Sequence, residues 1–266
     1  MLTELGAALA APPAVPNRPI RPVPGPVRFA RYAYGPNRLG YCGPEQAPEL
    51  FEQATEGRED SALRALARQF GGAYPYLELI ARSNGIADPL DARVVEAYWL
   101  GSKLLGRVRP SELGNSLERR FRPRLRGDGW HWLATKPEHG AVPVHTFHVL
   151  DVFPRLGLMR TGATDRALEV MDSCRIRWGR VLERDGDDLV VSSVPIELSG
   201  GRLRLASPRI GRIRGWIDGA GFVDDVLPGD VVSIHWDWAC ERLDRARLES
   251  LRTWTAREIE IANRTI

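Results

Sequence analysis

Apolar side chains follow two different periods along the chain, and the change between them lies near residue 170. Before it they recur every three or four residues, as Val94, Tyr98 and Leu105 do in the segment DPLDARVVEAYWLGSKLL. That spacing is typical of an amphipathic helix, and Asp88 stands where a helix N-cap is expected. The segments SALRALARQF, PYLELIARSNG and SELGNSLERRF have the same period. We therefore predict that residues 28–170 are mainly helical.

After residue 170 the period becomes two. The segments CRIRWGRVLE, DDLVVSSVPIEL, GRLRLAS and GDVVSIHW alternate apolar and polar residues, as half-buried strands do. Turn dipeptides separate them, namely Asp185-Gly186, Gly200-Gly201 and Pro228-Gly229. Several short strands at this spacing predict a small antiparallel barrel. The amphipathic segment LDRARLESLRTWTAREIEIAN then predicts a terminal helix that packs on the barrel.

Together the two periods predict an α+β protein with three parts. The stretch from Pro12 to Pro26 is dense in proline, which prevents a continuous helix, so residues 1–27 are predicted to form an extended arm. Residues 28–170 form a helical domain of unknown role, and residues 171–266 form the barrel with its C-terminal helix.

Composition and charge exclude several classes of protein. The chain has 266 residues and a net charge of +3 with alternating signs, which argues against a dedicated nucleic-acid surface. Its three cysteines, Cys42, Cys174 and Cys240, form no CxxC pair and leave one unpaired in any disulfide scheme. We interpret them as thiols in a reducing compartment. No segment approaches the roughly 18 apolar residues of a membrane span, so a cytoplasmic protein without membrane contact is expected.

Two separated motifs lie in the C-terminal third: the first consists of Cys174, Gly179, Val181 and Asp185-Gly186, and the second of Pro228-Gly229-Asp230, His235, Trp238 and Ala239. In these residues and their order, the C-terminal third resembles the HypC/HupF family of nickel-iron hydrogenase assembly chaperones. In that family the cysteine follows the initiator methionine, whereas Cys174 is internal and follows Ser173.

The resemblance implies a fold and a function. It implies that the barrel is OB-like, and that the protein is an accessory or chaperone protein, not an enzyme, in nickel-iron hydrogenase maturation. Cys174 and His235 would contact an iron-cyanide-carbonyl precursor, an immature hydrogenase large subunit or an iron-loading scaffold protein. A thiolate is the soft ligand that suits such iron, and His235 would act as a second ligand or as a hydrogen-bond partner of the thiolate. The alternative is that Cys174 is a small buried apolar residue and His235 a structural strand histidine.

The segment RFARYAYGPNRLGYCGPEQ predicts a loop-rich region between Arg28 and Gln46, before the first helix. It contains Tyr41 and Cys42, and it forms either a binding surface or a loop inserted into the helical core. Its pattern RYAYxPNxLGYCGP resembles an uncharacterised actinobacterial family found beside hydrogenase genes.

A rival site lies in the helical domain. The segment HTFHVLDVF places His145 and His148 three residues apart, so on a helix both would lie on one face where a metal could bind. With Cys42 they would form the site of an enzyme or a metal-binding protein. A further alternative is a pure protein-interaction module whose barrel has lost the chaperone chemistry.

Overall fold

Helices occupy most of the chain up to Cys174, and strands follow. The computed structural model describes residues 15–16, 18–125, 128–156 and 164–264. The helices are α1 (Gly25–Arg38), α2 (Ala47–Glu56), α3 (Ser61–Arg68), α4 (Tyr74–Ser83), α5 (Ala92–Leu100), α6 (Pro110–Phe121), α7 (Asp128–Thr135), α8 (His145–Phe147), α9 (Thr164–Cys174) and α10 (Arg245–Ala262). The strands are β1 (Arg177–Asp185), β2 (Asp188–Ser193), β3 (Ile196–Ser199), β4 (Arg202–Leu205), β5 (Arg209–Arg214), β6 (Trp216–Ile217), β7 (Ala220–Gly221), β8 (Val231–His235) and β9 (Trp238–Arg242). The α+β class is confirmed.

Short non-α helical turns complete the helical part. Lys103–Arg107 and Phe153–Leu156 are 3₁₀ turns, and α8 continues directly into a π-helical turn over His148–Val152. Within the described residues, no helix has both the length and the apolar character that a membrane span requires.

The predicted loop-rich segment differs from the structure, and the helix begins within the last three residues of the predicted arm. Residues 1–14 and 17 lie outside the described part of the chain. From Gly25 onward the chain is already helical, so most of the segment that was predicted as loop-rich is the buried helix α1. Pro26 fits the first turn of α1, where a missing N–H has no cost, and Pro36 lies in its last turn. Only the stretch after Arg38 is a turn region.

Helix α5 begins three residues later than predicted. Its cap is Asp91, whose carboxylate accepts a hydrogen bond from the Arg93 N–H at 2.9 Å. Asp88 instead caps the preceding turn by accepting from the Leu90 N–H at 2.9 Å. Two aspartates near one helix start compete for the cap, and the periodicity of apolar residues does not separate them.

Five strands pair in the ring order β1-β2-β5-β9-β8, and β8 pairs back with β1. The neighbours are antiparallel except for β5 and β9, which pair in parallel at Arg214 and Trp238. Two small hairpins, β3-β4 and β6-β7, lie outside the ring. Gly179 lets β1 approach closely, since a Cβ there would lie 2.8 Å from the Ile234 side chain. Asp244 caps α10 by accepting from the Arg247 N–H at 2.8 Å.

Apolar residues of the ring face two different cores. One cluster is contributed by the strands and their connections: Val181, Leu189, Val191, Ile213, Trp216, Val223, Val226, Val232, Ile234 and Ala239. A second, larger cluster joins the helices to the other face of β8 and β9. There Tyr34 of α1 meets Trp238 edge to face, with ring centroids 4.9 Å apart. The proposed division into domains at residue 170 stays a prediction.

Polar contacts also cross from α1 to the barrel. The Tyr32 hydroxyl donates to the Glu241 carboxylate at 2.8 Å, and the Arg28 guanidinium lies 3.3 Å from the same carboxylate. Both charged side chains are 3% exposed, so this ion pair is fully enclosed between α1 and β9. The region that precedes α1 is also attached to the barrel, through Arg18 and Asp230 at 2.7 Å.

Candidate functional site

Two histidines and one cysteine meet where the barrel packs against the helices. His145 begins α8, Cys174 ends α9 and His235 ends β8. One ligand atom from each of the three lies within 4.8 Å of the others. The two motif residues, Cys174 and His235, therefore lie together with His145, which the sequence assigned to the alternative site in the helical part.

Cys174 does not stand at the head of a strand, as its sequence pattern suggests. It is the last residue of α9, and β1 begins at Arg177. Burial raises the pKa of its thiol well above the ordinary value, and the nearby Cys42 thiol raises that pKa further, whereas the Trp236 side chain partly opposes the rise. The sulfur is therefore a protonated thiol unless a bound cation stabilises the thiolate.

The ring of His235 is held in one tautomer. Its Nδ1 lies 2.5 Å from the Tyr32 carbonyl oxygen, which can only accept, so Nδ1 carries the proton and donates it. Nε2 consequently has a free lone pair. That nitrogen is buried and has no hydrogen-bond partner among the described residues. Burial, with the nearby His145, holds the pKa of His235 well below 6.5, so the imidazole is neutral and able to ligate a metal.

Pro36 explains why the Tyr32 carbonyl is available. In an α-helix this oxygen would accept from the N–H four residues later. That residue is Pro36, which has no N–H. The approach of His235 also needs Gly35, because a Cβ at that position would lie 2.8 Å from the His235 carbonyl oxygen. The Gly35-Pro36 pair therefore lets the end of β8 bond to the last turn of α1.

His145 has partners on both ring nitrogens. Its Nδ1 lies 3.1 Å from the Tyr98 hydroxyl, and its Nε2 lies 2.9 Å from the Cys174 carbonyl oxygen and 4.0 Å from the Cys174 sulfur. Burial lowers the pKa of this histidine to about 4. It is therefore a neutral imidazole whose Nε2 edge faces Cys174.

Aromatic rings surround the cluster. The Trp99 ring centroid lies 4.7 Å from that of His145 and 5.6 Å from that of His235. Trp236 follows His235 in the turn between β8 and β9 with a left-handed φ of 57°, which is strained for a bulky residue. Its indole N–H faces the Cys174 thiol, and its ring centroid lies 4.1 Å from that of Tyr41, with the ring planes tilted by 32°. The two histidines are buried among these rings, whereas Cys174 is partly exposed.

Three of the four residues predicted as a secondary site lie outside the cluster, namely Tyr41, Cys42 and His148. Tyr41 is 44% exposed and covers Trp236. Cys42 is exposed as a whole residue, although desolvation by the surrounding protein raises the pKa of its thiol to about 12. Asn37 fixes this turn by donating to the Cys42 carbonyl at 2.8 Å. His148 packs elsewhere, with its Nδ1 3.2 Å from the Tyr76 hydroxyl.

The periodicity of the sequence does not reveal the residues that orient the cluster. Tyr32, Pro36, Tyr98 and Trp99 lie in helices where they would ordinarily be assigned to the core. Pro36 gives the one usable signal, because a proline in the last turn of a helix leaves a carbonyl oxygen that needs another donor.

A surface pocket of about 460 Å³ lies away from the cluster, against α1, α5 and α10. Two of its cationic side chains are already paired, since Arg28 and Arg247 lie 3.0 and 2.9 Å from the Glu96 carboxylate. Neither histidine nor cysteine lines it. We therefore place the candidate site at the His-Cys-His cluster.

One family model covers both the helical part and the barrel. The model of a family of unknown function, DUF6390, matches residues 21–266. The chain belongs to this family. The DUF6390 match runs across the change of period near residue 170 and includes all three residues of the cluster. No curated protein and no solved structure matches the chain.

Proposed function

We propose that this DUF6390 protein is an accessory protein of nickel-iron hydrogenase maturation. It would hold an iron-cyanide-carbonyl precursor, or dock on the immature large subunit, through Cys174 and His235. One observation supports this most directly: residues from two motifs far apart in the sequence have ligand atoms within 4.8 Å of each other. The family that the barrel sequence resembles uses a cysteine and a histidine from these two motifs.

The strand arrangement supports the same proposal. A closed five-stranded order with one parallel pair, β5 with β9, is compatible with an OB-like barrel, which is the fold that the resemblance implies. The α10 helix after β9 stands where that family carries its C-terminal helix.

The site suits an iron fragment chemically. The Cys174 sulfur is a soft donor for low-spin iron, and the His235 Nε2 is an unpartnered neutral donor beside it. The indole N–H of Trp236 faces the Cys174 thiol, so it is a donor next to the place where a cyanide nitrogen of the fragment would lie. Holding and releasing such cargo needs no bond-making catalysis, so we propose a carrier in the reducing cytoplasm and not an enzyme.

The test is purification of the full chain from a hydrogenase-producing host. We expect bound iron, infrared bands of cyanide and carbonyl, and co-purification of a large-subunit precursor or an iron-loading scaffold. Cys174→Ala should abolish the iron and its infrared bands. Cys240→Ala is the matched control, because Cys240 is a fully buried thiol outside the cluster, and it should retain both.

Absence of iron, infrared bands and both partners from the wild-type protein, while an ordinary assembly chaperone from the same host shows them, would contradict the proposal. Iron that persists in Cys174→Ala would also contradict it.

A further inference from the structure

We propose that His145, Cys174 and His235 form a three-ligand site for one divalent transition-metal ion of the Zn²⁺ or Fe²⁺ class, which this chain binds without a partner. The inference rests on the proposed function in so far as both use Cys174 and His235. It adds His145 as a ligand, which neither barrel motif contains, and it adds a bare ion as the bound species.

The types of donor select this class of metal. Two imidazole nitrogens and one thiolate suit Zn²⁺, Fe²⁺ and Co²⁺, whereas Mg²⁺ and Ca²⁺ require oxygen ligands. The cluster contains no carboxylate. Three protein ligands leave a fourth position for a water molecule or a cargo ligand, as in zinc sites that exchange ligands.

The distances are close to those of a metal site. Metal bonds of about 2.0 to 2.3 Å place tetrahedral ligands roughly 3.3 to 3.8 Å apart. The Cys174 sulfur and the His145 Nε2 are 4.0 Å apart, and all three ligand atoms lie within 4.8 Å. A contraction of about half an ångström to one ångström between these ligand atoms would complete the geometry.

Both imidazoles are already oriented by outer partners. The Tyr32 carbonyl accepts from the His235 Nδ1–H, and the Tyr98 hydroxyl bonds to the His145 Nδ1. Metal-binding histidines in proteins are fixed in this manner, with the nitrogen remote from the metal held by a carbonyl or another polar group. The second nitrogen of His235, Nε2, is free to bond to an ion, whereas the Nε2 of His145 faces Cys174 and contacts its carbonyl oxygen in the metal-free protein.

An unsatisfied buried atom provides an independent indication of a ligand. The His235 Nε2 is fully enclosed and has no hydrogen-bond partner in the described residues, a costly arrangement in a folded protein. A metal ion would satisfy it. On metal binding, the His145 Nε2 would leave the Cys174 carbonyl and bond to the ion instead. The proton of His145 would then lie on Nδ1.

The proton balance of binding is simple. The ion replaces the proton of the Cys174 thiol, which is released to solvent, and both histidines stay neutral. A divalent ion with one thiolate and two neutral imidazoles leaves a net charge of +1. That charge suits an anionic fourth ligand.

A cobalt titration of the purified, metal-free full chain tests the inference. We expect one equivalent of Co²⁺ to bind and to produce thiolate-to-cobalt charge-transfer absorption, which Zn²⁺ displaces. His145→Gln should weaken binding by more than about 100-fold, beyond the usual loss from an outer hydrogen-bond partner. His148→Gln is the matched control: this histidine is half-buried and also bonded to a tyrosine, and the metal affinity of the variant should stay within about threefold of the wild type. Circular dichroism would verify that both variants are folded.

Unchanged Co²⁺ affinity in folded His145→Gln, or absence of the charge-transfer band from the wild-type chain, would overturn the inference. If His145→Gln does not fold, X-ray absorption of the zinc-loaded wild type decides: two imidazoles and one sulfur support the site, and fewer than two imidazoles refute it. The outcomes separate the two proposals. Cobalt binding without cyanide and carbonyl bands from the host contradicts only the proposed function, whereas those bands without dependence on His145 contradict only this inference.

Discussion

At the scale of single residues, the molecule encloses a second group of ionisable side chains apart from the metal-ligand cluster. Lys136, Asp151 and Glu258 are each 0% exposed. Lys136 pairs with Asp151 and also donates to the Ile261 carbonyl at 2.9 Å. Burial, followed by the charge of Asp151, raises the pKa of Glu258 well above its ordinary value, although Arg257 and Lys136 oppose the rise. Glu258 therefore keeps its proton to a higher pH in the folded protein than in the unfolded chain.

This raised pKa predicts a pH-dependent stability. The folded state holds the Glu258 proton that the unfolded state loses, so stability falls as pH rises from the unfolded to the folded pKa, by up to about 1.4 kcal/mol for each pH unit between them. Glu258→Gln should remove this slope and be more stable than the wild type at alkaline pH. Thermal or denaturant unfolding from mildly acidic to alkaline pH measures it. Glu260→Gln, at an exposed position of the same helix, should keep the wild-type slope, and an equal slope in Glu258→Gln would refute the assignment.

At the scale of secondary-structure elements, α1 has two roles. It packs against β8 and β9, and it provides the Tyr32 carbonyl that orients His235. The second role depends on Pro36, which leaves that carbonyl without its helical donor.

Pro36→Ala should therefore separate helix stability from metal binding. The new N–H would compete with the His235 Nδ1–H for the Tyr32 carbonyl, so we expect α1 to be as stable or more stable, while metal affinity falls about 10- to 100-fold. Unfolding curves of the metal-free protein and a cobalt titration measure the two effects. The control is Pro26→Ala in the first turn of the same helix, where an added N–H has no competitor and the affinity should not change. Equal affinities in both variants would show that Pro36 has no role in the site.

Sequence reasoning and structure agree where local pattern decides. The apolar spacing around Val94 and Tyr98 predicts a real helix, α5. The proximity of Cys174 and His235, within 4.8 Å, is instead implied by the family resemblance and not by local pattern. Local pattern fails for α1, because glycine and proline at its end are typical of a loop. It also fails for His145, since its meeting with Cys174 depends on how α8, α9 and β8 pack. Such long-range packing leaves no period or spacing in a single sequence.

At the scale of the whole molecule, the helices and the barrel are joined by an enclosed ion pair. Glu241 of β9 accepts from Tyr32 of α1 and lies 3.3 Å from Arg28. Breaking a buried pair by removing one partner leaves an uncompensated charge, which typically costs about 3 to 5 kcal/mol.

Glu241→Ala should accordingly lower the free energy of unfolding by an amount in that range, as measured by denaturant titration of the full chain. Glu249→Ala removes a carboxylate from an exposed pair with Arg245, which is expected to leave the unfolding midpoint nearly unchanged. A loss in Glu241→Ala no larger than in this control would show that the α1–β9 contact contributes little to stability.

His145, Cys174 and His235 come from three separate segments, so an ion bound by all three would couple the positions of those segments. Free-energy coupling is reciprocal: an ion that holds α8, the end of α9 and β8 together is itself held less tightly when any one of them moves away. A partner that binds the barrel and shifts β8 by about one ångström would dismantle the ligand set and would prefer the empty chain. Binding of that partner and release of the ion would then occur together. The partner's binding energy would open the site, so release would not depend on spontaneous dissociation of the ion.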